Sequence, residues 1–181
     1  MTTTTDLTPQ VDAGSARDGE RADLLETLAA HRGFLRQTLR GLDDAQARQR
    51  TTVSALTLGG LVKHVAATES QWAAFIEQGP EAFASGPDGE AAWAGGFQLL
   101  PDESVAGVLE HYEQVARRTD ALVASLPDLD VAHPLPAAPW FTPGASRSAR
   151  RVLLHLIAET SQHAGHADII RESLDGARTM G

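Results

Sequence analysis

The chain has 181 residues, a net charge of −9, 42% apolar and 22% charged residues, and no cysteine. That length is enough for one domain with a sizeable single core. Lys63 is the only lysine, and the lack of a basic stripe argues against a nucleic-acid partner. Disulfides and cysteine zinc sites are excluded, so any metal must be held by His, Asp or Glu.

The start, Met1-Thr2-Thr3-Thr4-Thr5-Asp6, has neither the basic region nor the apolar run of a signal peptide. No apolar run approaches ~20 residues, so the expected location is cytoplasmic. Residues 1–19 are rich in Thr, Asp, Gly and Ser and are predicted to form a mobile tail. Residues 20–176 are predicted to form one all-α domain, a four-helix bundle with long connecting loops.

A first helix is predicted near 20–41, with Leu24, Leu28, His31, Leu35 and Leu39 on one stripe and Leu25 and Phe34 beside it. His31 alone reads as an ordinary core or surface residue. A second helix is predicted over 58–78, capped by Thr57 and stopped by Gly79-Pro80. Its stripe is Leu61, Val65, Thr68, Trp72 and Phe75, and His64 lies at the border of that stripe. Residues 79–100 carry Phe83, Trp93 and Phe97, as a cap on the bundle or a pocket wall.

A third helix is predicted over 103–125, opened by Pro101-Asp102-Glu103. Val105, Val108, Leu109, Tyr112, Val115, Ala116, Thr119 and Leu122 make its inner face. His111 lies among Glu110, Glu113 and Gln114 on the solvated side. Five prolines between 127 and 145 forbid a regular helix, and His133, Trp140 and Phe141 sit there as cap or pocket wall. Ser146 or Ser148 then caps a last helix near 148–174, stopped by Gly176. No strand with convincing alternation is visible, and connections of ~15–22 residues suit crossover topologies.

The last helix carries the chemistry. Val152, Leu156, Glu159, His163, His166 and Ile170 recur at spacings of four and three, a helical stripe with a carboxylate and two imidazoles at its middle. Glu159 and His163 are one turn apart and can share a metal ion. His64 is the best candidate for a third ligand. The bland alternative is a buried Glu–His hydrogen bond beside unrelated core histidines. His155 and His166 flank the pair, as ligands, partners of ligands or proton carriers. Asp168, Arg171 and Glu172 read as surface ion pairs.

Two motifs carry a resemblance. Leu61-Val62-Lys63-His64-Val65-Ala66-Ala67-Thr68-Glu69-Ser70-Gln71-Trp72 and Glu159-Thr160-Ser161-Gln162-His163-Ala164-Gly165-His166-Ala167-Asp168, with Arg171-Glu172 beyond, resemble the DinB/YfiT-like superfamily. The similarity spans roughly residues 20–176. It is greatest to the branch of mycothiol S-transferases and the metal-binding domain of mycothiol-dependent maleylpyruvate isomerase. The resemblance implies a four-helix bundle holding a divalent metal on His64, Glu159 and His163. Many relatives have His where this chain has Glu159, and the isomerase branch has Glu. Arg151 stands where close relatives tend to carry an aromatic. The chain has no room for the isomerase's additional C-terminal domain, which argues against assigning that reaction.

The resemblance thus implies a metal-dependent S-transferase, with zinc as first choice and nickel or iron as alternatives. Its nucleophile would be mycothiol or a similar small thiol, attacking a small electrophile. The sulfur must come from outside, since the chain has no cysteine, and His166 or His155 would serve as general base. Metal-assisted hydrolysis without a thiol and a non-enzymatic, stress-linked small-molecule-binding bundle are the competing readings. The expected partners are the thiol and the electrophile, with no nucleic acid or membrane. A homodimer is compatible with the exposed helical faces, though no stripe demands one.

Overall fold

The computed structural model describes residues 13–84 and 96–179, with side chains described from Gly19. Four long helices make the bundle: α1 (Ala13–Gln37), α3 (Leu58–Gln78), α4 (Val105–Ser125) and α5 (Ala149–Asp175). A short helix, α2 (Asp44–Ala47), follows the turn after α1. It is closed by a capping box in which Asp43 accepts from the Gln46 amide and Gln46 accepts from the Asp43 amide. α1 packs chiefly on α5, and α3 packs on both α4 and α5. The chain is all-α, as its periodicity predicts.

Three caps follow the sequence. Thr57 accepts from the Gly60 amide, Ser148 accepts from the Arg151 amide, and Gly176 ends α5 at φ 80°. α4 departs from expectation: Ser104, not Asp102, caps it, and it starts at Val105. Glu103 is drawn away from the helix to bind Lys63 and the Leu100 amide. The tail expected over 1–19 lies outside the described residues up to residue 12, and α1 is helical from Ala13.

The proline-rich segment makes a two-stranded antiparallel ladder, β1 (Ala132–Pro134) with β2 (Ser146–Ser148). Ala132 pairs with Ser148, and His133 with Arg147. Strand alternation then turns Arg147 to one face while Ser148 is free to cap α5. His133 donates from Nε2 to the Ile76 carbonyl and packs against Gly79, whose φ of 71° ends α3. His133 is therefore a structural clasp.

The core has two parts. One gathers Leu35, Leu39, Leu61, Val65, Tyr112 and Ile170; the other gathers Leu28, Trp72, Phe75, Val123, Leu153 and Leu156. Between the helices lies a polar pair that the apolar stripes concealed. Arg32 occupies the stripe position between Leu28 and Leu35, and His31 is turned aside against Phe34. Arg32 forks onto Glu69 of α3 at 2.5 and 3.1 Å and reaches Asp120 of α4 at 2.9 Å. Both Arg32 and Glu69 are buried, so each stabilises the other against the cost of leaving water. Arg171 does more than pair on the surface: besides Asp175, it donates to the Thr38 and Arg40 carbonyls and ties α5 to the end of α1.

Candidate metal centre

α3 contributes His64, and α5 contributes Glu159 and His163 one turn apart. The three converge. Nε2 of His64 and Nε2 of His163 each lie 3.2 Å from the same oxygen, Oε1 of Glu159. All three donor atoms lie within 4.8 Å of one another. A tetrahedral ion with bonds of ~2.0–2.1 Å separates its donors by ~3.3 Å. The spacing and the two-imidazole, one-carboxylate set therefore fit a divalent ion such as zinc. The paired imidazoles, His163 first and then His64, hold the Glu159 carboxyl well below the usual carboxylate range.

The stripe drawn from the sequence needs one correction. The deeply buried line of α5 runs through Val152, Leu156, Thr160, Ala164, Ala167 and Ile170. Glu159, His163 and His166 lie along its flank and are half-buried. The site is thus at the edge of the core and partly open to solvent. The fully buried glutamate is Glu69, which is part of the ion pair with Arg32.

His166 and His155 occupy different places. Nδ1 of His166 is 3.4 Å from Nδ1 of His163, the nitrogen turned away from Glu159. This is the position from which an outer partner fixes the tautomer and ring orientation of a metal-binding histidine. His155 lies one turn before Glu159, with its ring against Trp72 at 5.0 Å. Burial, then the neighbouring Arg147, pushes the His155 imidazole below the ordinary histidine value, while Glu159 pulls the other way. His31 and His133 take no part, and His111 is exposed on α4.

Sequence reasoning left Phe97 open between cap and pocket wall. Its ring stacks on His64, with centroids 3.9 Å apart and planes at 19°, and meets His163 edge-on. The helix start explains how it gets there. A Cβ at Gly60 would stand 1.9 Å from the Phe97 carbonyl oxygen, so only glycine lets that backbone approach α3. Lys63 holds the next residue by donating to the Gln98 carbonyl. Arg48 donates to the Leu99, Leu100 and Glu103 carbonyls. The Gly59-Gly60 pair at the start of α3 was the available signal. Phe83 and Phe141 pack on Trp72 and close the other end of the bundle. Trp93 lies outside the described residues.

A helical bundle with two imidazoles and a carboxylate from facing helices has a donor set that could hold a metal ion. A sequence model of the mycothiol-S-transferase family matches residues 23–176. The chain belongs to that family. No curated protein matches the chain. No helix among the described residues is long and apolar enough to cross a membrane.

Proposed function

We propose that this protein is a divalent-metal-dependent S-transferase that joins a small thiol of the mycothiol kind to a small electrophile. The observation that carries this reading is the sharing of Glu159 Oε1 by His64 and His163 at 3.2 Å, in a chain of the mycothiol-S-transferase family.

His64, Glu159 and His163 would hold the ion, with zinc as the metal that suits this donor set. Such an ion supplies the charge that lowers a thiol's pKa, so that a thiolate is available near neutral pH. Around it, Phe97 keeps the His64 ring from rotating. His166 holds the outer nitrogen of His163. His155, kept neutral by burial and by Arg147, takes the thiol proton on a ring nitrogen. The sulfur then bonds to the electrophilic carbon as the leaving group departs with its electron pair. His155 is the base in this reading and His166 a positioning residue, because His166 stands behind a ligand.

The test is an incubation of the zinc-loaded protein with mycothiol and a chloronitrobenzene electrophile. Thiol consumption and chloride release in equal amounts, both lost on chelation, are the expected result. Hydrolysis of an ester or amide at the same centre without thiol loss would replace the transferase with a hydrolase. No reaction of either kind, with metal bound, would leave a binding protein.

A further inference from the structure

Arg147 is a half-buried cation that pairs with no carboxylate among the described residues. Its Nη1 is shut off from solvent and has no hydrogen-bond partner among the described residues. Its guanidinium lies over the rings of Trp72, at 4.6 Å, and Phe141, at 5.4 Å. These ring faces attract a cation but offer its N–H groups no hydrogen-bond acceptor comparable to a carboxylate. The charge Arg147 chiefly feels is another cation, Arg151, and burial with that repulsion pushes its guanidinium down. Arg151 is exposed and pairs with no carboxylate among the described residues.

The contrast is Arg150 between them, which is clamped by Glu20 and Asp130. Nearby acids have gone to the one arginine that faces away. Arg151, His155, Glu159 and His163 follow one another at four-residue intervals, so they form a line along α5. From Arg151 to Glu159 is ~12 Å at ~1.5 Å per residue. One end of this line holds two uncompensated guanidinium groups, the other the metal ligands, with Trp72 and Phe141 beside the first.

We propose that Arg147 and Arg151 bind a carboxylate of the electrophilic substrate, and that the half-buried Phe141 lies beneath its body. The planar fork of arginine matches a carboxylate in two parallel hydrogen bonds. An anion there meets the solvent-facing part of the half-buried Arg147 side chain and relieves the repulsion between the two cations. The preferred electrophiles are then small, flat acids whose reactive carbon lies on the side of the metal. As a substrate-binding site it rests on the transferase reading above; as an anion site it rests on the two arginines alone.

Two measurements separate those claims. The first is calorimetric binding of nitrobenzoate and of its methyl ester to the zinc-loaded protein without thiol. Nitrobenzoate binds more tightly than its ester. Loss of one charge-assisted pair weakens it about tenfold in Arg151→Gln and in Arg147→Met. Arg117→Gln, on the far surface of α4, serves as the control and does not change it. The second measurement is turnover of a chloronitrobenzoate against its methyl ester with mycothiol. The ratio of the two kcat/KM values falls about tenfold in the same variants, through KM. Because Arg147 packs on Trp72, thermal melts accompany each variant. Should Arg147→Met unfold, Arg147→Lys, which keeps the charge and loses the fork, and the exposed Arg151→Gln decide. Equal binding of acid and ester, or binding indifferent to all these variants, overturns the anion site. Arginine-dependent binding of the acid with no thiol consumed overturns the transferase reading and leaves the anion site standing. Turnover that ignores the carboxylate does the reverse.

Discussion

Burial first, and then Arg147, press the His155 imidazole towards neutrality; Glu159 opposes them, and Arg151 adds a smaller push the same way as Arg147. The folded-state value of His155 lies below the ordinary one, so the unfolded chain takes up this proton first as pH falls. The contribution of His155 to stability is therefore present at neutral pH and declines on acidification. The same shift keeps the basic form available below the usual histidine range. If His155 is the base, the acid limb of kcat/KM lies below that range. Arg147→Met, which removes one positive neighbour, moves the limb upward, and His155→Gln removes it. A limb unmoved by either change would mean that another group takes the proton. His166→Ala has a different signature. Loss of a partner behind a ligand costs ~10–100-fold in metal affinity, read by competition with a zinc chelator, whereas His155→Gln leaves that affinity intact.

The Arg32–Glu69 pair is the other residue-scale feature with a measurable weight. Glu69→Leu leaves Arg32 buried with only Asp120, which is half exposed. Breaking a buried pair from one side costs ~3–5 kcal/mol. At ~2–4 °C per kcal/mol for a chain of this size, Tm falls by ~10 °C. The double change Arg32→Met, Glu69→Leu removes both charges and regains most of that loss. If the double variant melts no higher than the single one, the pair is not what Glu69→Leu broke.

At the scale of elements, the start of α3 and the segment 96–100 work as one piece. Gly60 admits the Phe97 backbone, Gly59 meets the buried Leu99, and Phe97 then lies flat on His64. Gly60→Ala drives a methyl into a carbonyl oxygen that cannot yield without lifting the segment. The expected cost is ~1–3 kcal/mol, as for other overpacked sites, together with weaker metal binding. Gly59→Ala is milder, because its Cβ meets the Leu99 side chain at 3.0 Å rather than backbone. Urea melts and chelator competition on both variants check this. Unchanged metal affinity in Gly60→Ala would show that the stacked ring does not hold His64. The ladder of β1 and β2 acts similarly on the other end: it holds the residues that lead into α5 and sets Arg147 over Trp72.

For the whole molecule, the proposed metal centre and the fold are nearly independent. The bundle is closed by two apolar clusters and by the Arg32 network, while His64, Glu159 and His163 sit half-buried on its flank. In His163→Ala, bound metal falls to background and catalysis goes with it, yet the helical spectrum and the cooperative melt remain. Chelation of the wild-type protein lowers Tm only by the binding term, which grows with the logarithm of free metal. His111→Ala, exposed on α4, changes neither metal content nor turnover. Full metal content in His163→Ala would remove that residue from the centre.

Much of this architecture was legible in the chain. The apolar repeats located four helices because a helix must bury one face, and Thr57, Ser148 and Gly176 marked ends because their chemistry satisfies free amides and permits a left-handed turn. His64, Glu159 and His163 stood out as polar groups near apolar stripes, and they do converge. Other features depended on partners far along the chain. Glu69 and Arg32 are 37 residues apart, and each alone reads as a surface charge. The repeat placed Glu159 on the inward stripe, but it is its neighbour Thr160 that is fully buried. The helices packed against α5 decided it, burying Thr160 and leaving Glu159 at the edge. Phe97 lies in an irregular segment and Arg147 in a three-residue strand too short for a periodicity to be read. Their places were set by a glycine that allows close approach and by a two-strand register. Local pattern determined the elements, because backbone hydrogen bonding and side-chain burial repeat along the chain. The shape of the site was decided only when those elements met, because the contacts that make it join residues no local pattern relates.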